Sequence, residues 1–285
     1  MPVLVGFVVA AFSPFYGGNF LDATVGLGGH SFFLLRSLNP QLLLGVDRDL
    51  QALDIAREKL TGFKNQIKLI HLQFSQISKY CQENNIPKFH AVLLDLGVSS
   101  LQLDSSRGFS YRYNYPLDMR MDQSESMTAL DLIMKSGEDE LKEILFQGGE
   151  TQFAKRLAHK IFQQKNEIKT TENLSEIIRS AGPRKNAVKR MARTYQALRI
   201  AVNQEYSQLN EFLEGLPEII QPEAVLLTIA YHSGEDRIIK KFQKRWKQQN
   251  QAKPSFSHVI KPSREERNKN PRSRSAKLRI IRFIS

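Results

Sequence analysis

Apolar residues fall in short, nearly continuous runs at Phe20–Thr24, Leu42–Asp47, Ile67–Leu72, Ala91–Leu96, Ala224–Tyr231 and Lys277–Phe283. Runs of that length predict buried strands. Helical segments separate the first four; Leu50–Leu60 carries a stripe of Ala52, Leu53, Ile55, Ala56 and Leu60. Such alternation predicts a parallel sheet with helices on both faces. The rhythm stops near Tyr111. Amphipathic helices are expected instead over Met127–Met134, Asp139–Phe146, Thr151–Gln163 and Glu172–Ser180. One long helix follows, with Tyr195, Leu198, Val202, Tyr206, Leu209 and Leu213 on a single face. The sheet pattern resumes at Ala224, so the chain reads as an α/β domain (1–110 and 196–285) interrupted by a helical insert (111–195). The apolar start, Pro2–Phe12, predicts a buried first helix; it is too short to span a bilayer and lacks the basic flank of a signal peptide.

The first strand run ends in Asp22, a turn holding Gly26, Gly28 and Gly29 follows, and an apolar helical segment begins at Phe32. The second run ends in Asp47, roughly twenty residues beyond the glycines, the spacing of a nucleotide-binding βαβ unit. Glycines let backbone press against a ligand, and an acid closing the second strand can take both ribose hydroxyls. A dinucleotide fingerprint would place a third glycine where Ser31 stands. S-adenosylmethionine has no phosphate and needs only the glycine bend and the ribose acid, so it is the expected cofactor. A glycine-rich turn in an ordinary α/β domain is the plainer alternative, which the distance to Asp47 disfavours.

Charge narrows the partner. The 285 residues carry a formal net charge of +12 and a pI near 9.7, which points to a polyanion, most simply nucleic acid. Basic side chains crowd Arg184–Arg193 and the tail, where Arg264, Arg267, Lys269, Arg272, Arg274, Lys277 and Arg279 are dense enough to predict phosphate contacts. The one cysteine, Cys81, excludes a disulfide framework and a cysteine-based zinc site within the chain, and suits a reducing cytoplasm. It lies away from every motif, which also excludes carbon-5 cytosine methylation, a reaction that needs a cysteine nucleophile.

The most specific signal is Asp95-Leu-Gly-Val-Ser-Ser-Leu-Gln-Leu-Asp104, followed by Arg107-Gly-Phe-Ser110 and Pro116-Leu-Asp-Met-Arg-Met-Asp122. With Gly28-Gly29-His30-Ser31, Thr170-Thr171, Arg193–Asn203, His232-Ser233, Glu235-Asp236-Arg237 and Asn270–Arg279, it closely resembles the ribosomal RNA small-subunit methyltransferase H (MraW) family along the whole chain. The resemblance implies a Rossmann-like class I S-adenosylmethionine-dependent methyltransferase sheet with an inserted all-helical domain. It implies transfer of a methyl group to N4 of a P-site cytidine in 16S rRNA, with the small ribosomal subunit as partner, no metal and no membrane. Either a monomer or a homodimer is compatible. The implied cofactor residues are Gly28, Gly29, His30, Asp47, Phe74, Asp95 and Gln102, and the expected RNA contacts include Arg190, Arg193, Arg272 and Arg274. The chain departs from the family pattern at Leu27 (usually Gly), Gly234 (usually Leu), Phe7 (usually acidic) and Lys189–Ala192 (usually His-Pro-Ala-Thr).

Amino methylation of cytosine is hard because the N4 lone pair is delocalised into the ring. A carboxylate at a strand C-terminus can accept from the amino group and turn that lone pair toward the methyl. Asp95 is so placed and Asp118 is the second catalytic candidate, although Asp95 could instead orient the cofactor, and Asp118 could pair structurally with Arg120. His30 could contact the cofactor's carboxylate or cap a helix, and Phe74 could stack on adenine or serve as core. His232 could meet RNA, with a structural role favoured; Ser233–Asp236 has capping-box spacing. The insert is expected to form one wall of the substrate cleft and to move. Two rival functions are open to a chain of this kind. A DNA amino-methyltransferase would carry an acceptor motif with two prolines, where Asp95 is followed by Leu-Gly-Val. A non-catalytic assembly factor has no need of Gly28, Gly29, Asp47, Asp95 and Gln102 together.

Overall fold

The computed structural model describes residues 2–255 and 258–284. Its contacts divide the chain into two compact units, 1–97 with 206–285, and 98–205. The first unit holds the strands β1 Asn19–Asp22, β2 Leu42–Asp47, β3 Ile67–His71, β4 Phe89–Asp95, β5 Ile220–Ala230, β6 Ala252–Pro254 and β7 Lys277–Phe283. They form one sheet in the order β3-β2-β1-β4-β5-β7-β6. Strands β1 to β5 are parallel, and β7 runs antiparallel to both its neighbours.

The apolar runs are continuous because both sheet faces are covered. Alternate residues point to opposite sides. Phe20, Leu43, Ala91, Leu93, Leu227 and Ile229 pack on one face with helices α1 (Val5–Phe12), α2 (Gly29–Leu38) and α3 (Leu50–Lys59). Leu21, Leu44, Val46, Val92, Leu94 and Leu226 pack on the other with α4 (Ile77–Glu83) and two later helices described below. The apolar start of the chain is the expected helix, with Val8 and Phe12 buried and Phe7 on the exposed side.

The second unit is helical: α5 Ser100–Asp104, α6 Ala129–Lys135, α7 Glu138–Gln147, α8 Ala154–Gln164, α9 Thr171–Ser180 and α10 Ala187–Val202. Its core joins Leu141, Leu145, Leu157, Ile161, Leu174, Ile178 and Leu198 with Phe109, Leu117 and Met119 from the long connection. The chain then returns to the sheet unit through α11 (Glu205–Ile219), α12 (Ser233–Gln248) and α13 (Arg264–Lys269). Among the described residues no helix is long and apolar enough to cross a membrane.

Three features differ from the sequence expectation. The single long helix over residues 195–213 is two helices. At the junction Gln204 has φ +50°, and Asn203 accepts from Met121 N at 2.8 Å while donating to Met119 O at 2.7 Å. Tyr195, Leu198 and Val202 therefore belong to the helical core, and Leu209 and Leu213 to the sheet core. For the same reason the expected boundaries after residues 110 and 195 fall inside the second unit, whose core takes in Val98, Leu103, Phe109 and, from α10, Met191, Tyr195, Leu198 and Val202. Strand β6 was not anticipated: three residues with a lysine and a proline give no hydrophobic signal, and Pro254 is tolerated because the strand lies at the sheet edge.

Candidate functional site

Strands β1, β2 and β4 are neighbours, and each ends in an aspartate: Asp22, Asp47 and Asp95. From β1 the chain winds outward to β2 and β3, then crosses back to β4 on the other side. That reversal is the switch point at whose carboxyl edge open α/β sheets bind ligands.

Asp47 closes the glycine turn. Its Oδ2 accepts from Gly26 N at 2.6 Å and its Oδ1 from Asp49 N at 2.9 Å. Burial nevertheless dominates and pushes its carboxyl from 3.8 up to about 6, with Asp49 and Asp22 adding like-charge repulsion. Gly26 has φ +52° and open space where a Cβ would stand; Gly28 has φ +71° and is the N-cap of α2. Asp22 is fully buried and takes the Ser31 hydroxyl at 2.6 Å, so the residue that breaks the dinucleotide fingerprint has its own work here. Desolvation raises the Asp22 carboxyl as well.

Asp95 is enclosed by three elements. Its backbone N–H donates to Thr24 Oγ1 at 2.7 Å, its Oδ1 accepts from the Tyr231 hydroxyl at 2.9 Å, and its Oδ2 lies 3.3 Å from His30 Nε2. His30 sits in the first turn of α2, is only 6% exposed, and neither ring nitrogen meets hydrogen-bond geometry with a partner. It does not cap α2. Buried ring nitrogens left open at a ligand-binding edge fit a polar ligand group, and Asp47 keeps lone pairs beyond its two amide bonds. With the open face at Gly26, this donor and acceptor set fits the ribose and the charged amino-acid end of S-adenosylmethionine. Gly29 follows Gly28 into the first turn of α2, where a Cβ would meet Pro2.

Phe74 lies in a short 3-10 turn after β3, half-buried and edge-on to Phe212 at 5.8 Å, so it packs on the core at one side. His232 is the N-cap of α12. Its Nδ1 accepts from Glu235 N, and Glu235 answers by accepting from His232 N, so the capping box sits one residue earlier than the Ser233–Asp236 spacing suggested. Asp236 instead pairs with Arg279 at 2.8 Å and lies 3.6 Å from Lys277, which gives those two tail cations a structural partner. Arg272 and Arg274 are exposed on the turn Pro271–Ser275.

The remaining candidates lie in the second unit. Gln102 is buried and forms a capping box with Ser99 at the start of α5. Asp118 holds Arg120 through two parallel bonds of 2.7 and 2.8 Å, the paired arrangement that was one of its two readings. Arg190 as an RNA contact is corrected by the structure: its side chain is buried and donates to the carbonyls of Ile178, Arg179, Gly182 and Pro183. It satisfies the end of α9, with its guanidinium 5.1 Å from the Phe153 ring centre. Arg193 stays exposed, 3.9 Å from the buried Glu150. Tyr231 and Thr24 were missed as site residues, since a strand-end tyrosine and a turn threonine carry no motif of their own.

A parallel sheet with one antiparallel strand inserted beside its edge, a glycine turn after β1 and an acid closing β2 define a class I S-adenosylmethionine-dependent methyltransferase. A Clostridium thermocellum protein described as a candidate rRNA methylase shares this fold, with a TM-score of 0.50 at 14% identity over 100% of this chain and 99% of that one. The chain belongs to the MraW methylase family, whose sequence pattern matches residues 1–284. It is 38% identical to the ribosomal RNA small subunit methyltransferase H of Persephonella marina, over 99% of this chain and 98% of that protein. The protein of that name from Sorangium cellulosum is 40% identical over 97% and 88% respectively.

One departure from the family pattern is explained by packing. A Cβ at Gly234 would stand 1.8 Å from the Tyr206 hydroxyl, so the space a leucine would take is filled by the Tyr206 ring.

Proposed function

We propose that this protein transfers a methyl group from S-adenosylmethionine to the exocyclic N4 of the P-site cytidine in 16S rRNA. The observation that carries the reading is the Asp95 carboxylate at the switch point, with one oxygen fixed by Tyr231 and the other turned toward His30. Membership of a family whose relatives are named as small-subunit rRNA methyltransferases supplies the substrate class. S-adenosylmethionine supplies an electrophilic methyl on sulfur.

Asp47 holds the ribose and His30 the amino-acid end of that cofactor. Asp95 accepts a hydrogen bond from the N4 amino group, which draws the nitrogen lone pair out of conjugation with the ring. That lone pair would then take the methyl group that the bound cofactor supplies, and the Asp95 carboxylate would receive the amino proton. Exposed cations, Arg193 together with Arg272 and Arg274, serve the phosphate backbone; such contacts position RNA without reading its sequence.

The test is in vitro. Purified protein, S-adenosylmethionine and small-subunit rRNA or assembled subunits are combined, and the digested nucleosides are identified by mass. N4-methylcytidine at a single site is expected. Methylation at carbon 5, or methylation of DNA in place of rRNA, would overturn the reading.

A further inference from the structure

Tyr231 takes no part in the family signature quoted above, yet its hydroxyl is the donor that fixes Asp95. The phenol is held from three directions. Its backbone N–H donates to Glu235 Oε2 at 2.8 Å, tying the residue to the capping box of α12. Its ring lies against Gly97, where a Cβ would stand 3.1 Å from Cδ2; Gly97 also has φ +96°, so a side chain there is excluded twice. It directly follows β5, which is paired with β4 so that Asp95 stands opposite Ile229, two residues before the tyrosine. Burial and the adjacent Asp95 charge push the phenol far above its ordinary range, which makes it a donor at every working pH.

We infer that Tyr231 is the positioning residue of the methyl-transfer site: by occupying Asp95 Oδ1 it locks the carboxylate rotamer and leaves Oδ2, beside His30, as the acceptor offered to the reactants. This rests on the reading of Asp95 given above. A free carboxylate on a strand end samples several rotamers and presents either oxygen, whereas one anchored through Oδ1 and its own backbone N–H presents a single lone-pair direction. Groups facing Asp95 are His30, Tyr231 and, through the field at the neighbouring strand end, Asp22.

The experiment is single-turnover methylation of small-subunit rRNA by the full chain, with the saturated rate and the half-saturating rRNA concentration read separately, and with Tyr231→Phe and Asp95→Asn compared with the parent. Removing one oxygen keeps the ring against Gly97, and S-adenosylmethionine affinity by calorimetry reports that the sheet unit is intact. The expected result for Tyr231→Phe is a rate about tenfold lower at saturating cofactor and rRNA, with both affinities unchanged. Incorporating 2,3-difluorotyrosine at position 231 keeps both the shape and the donor, so the rate should stay near that of the parent. An unchanged rate in Tyr231→Phe, with Asp95→Asn impaired, overturns the inference alone. Full activity in Asp95→Asn overturns the reading of Asp95 and the inference with it. A Tyr231→Phe protein that is slower only because cofactor or rRNA affinity is weakened makes the contact merely structural and also overturns the inference.

Discussion

The raised carboxyl of Asp47 gives the most quantitative test of the cofactor site. Asp47 sits between the amides of Gly26 and Asp49 with the charges of Asp49 and Asp22 nearby, and burial raises it from 3.8 to about 6. A ribose diol donates to the ionised form, so binding selects the charged carboxylate. At pH 7.5 nearly all of the free protein is competent. At pH 5 only about one molecule in eleven is, so affinity should fall about tenfold; a carboxyl at 3.8 would lose only about 6% over the same range. The stability of the free protein runs the other way. A folded-state carboxyl above its unfolded value binds more protons folded than unfolded, so this contribution is present below about pH 4 and is lost as pH rises through about 6. The whole shift of roughly two units corresponds to about 3 kcal/mol. Calorimetric titration of S-adenosylmethionine at a series of pH values reads the first effect directly. Asp47→Ala should bind about tenfold to 150-fold more weakly at pH 7.5, the loss of bonds to a charged acceptor worth about 1.5–3 kcal/mol, and should lack the tenfold pH effect. Parent affinity that stays flat from pH 7.5 to 5, or an identical slope in Asp47→Ala, would refute the ribose role.

Two further perturbations separate packing from chemistry. Arg190→Ala removes a buried cation from four carbonyls and leaves a cavity beside Phe153, so urea unfolding should show a loss of about 3–5 kcal/mol with S-adenosylmethionine affinity unchanged; a neutral effect would mean that the end of α9 is held some other way. Gly234→Leu drives a side chain into the Tyr206 hydroxyl and should cost about 1–3 kcal/mol, most of it recovered in Gly234→Leu with Tyr206→Leu; additive losses in thermal melts would deny the exchange of volume between the two positions.

Much of the sheet unit was legible in the chain. Six strand cores and the helices after the glycine turn follow from continuous apolar runs, because a strand buried on both faces has no polar side to hide its signal. Asp22, Asp47 and Asp95 announce themselves as charges that terminate such runs. Less legible was anything set by one local bond or by tertiary partners. The break at Asn203–Gln204 leaves the helical stripe unbroken in sequence while the partners of its two halves change. Arg190 stands in a run of basic residues and reads as surface, yet carbonyls at the end of α9 draw its guanidinium inside. The Tyr231–Asp95 bond joins residues 136 positions apart, and no spacing rule reaches across that interval.

The central claim is the identity of the modified atom. Nucleoside mass spectrometry of small-subunit rRNA from cells with and without this gene, restored by the parent and by the Asp95→Asn form, tests it most directly. The account predicts N4-methylcytidine that disappears with the gene, returns with the parent and fails to return with Asp95→Asn. Unchanged N4-methylcytidine in the absence of the gene, or loss of a different methylated nucleoside, would contradict it.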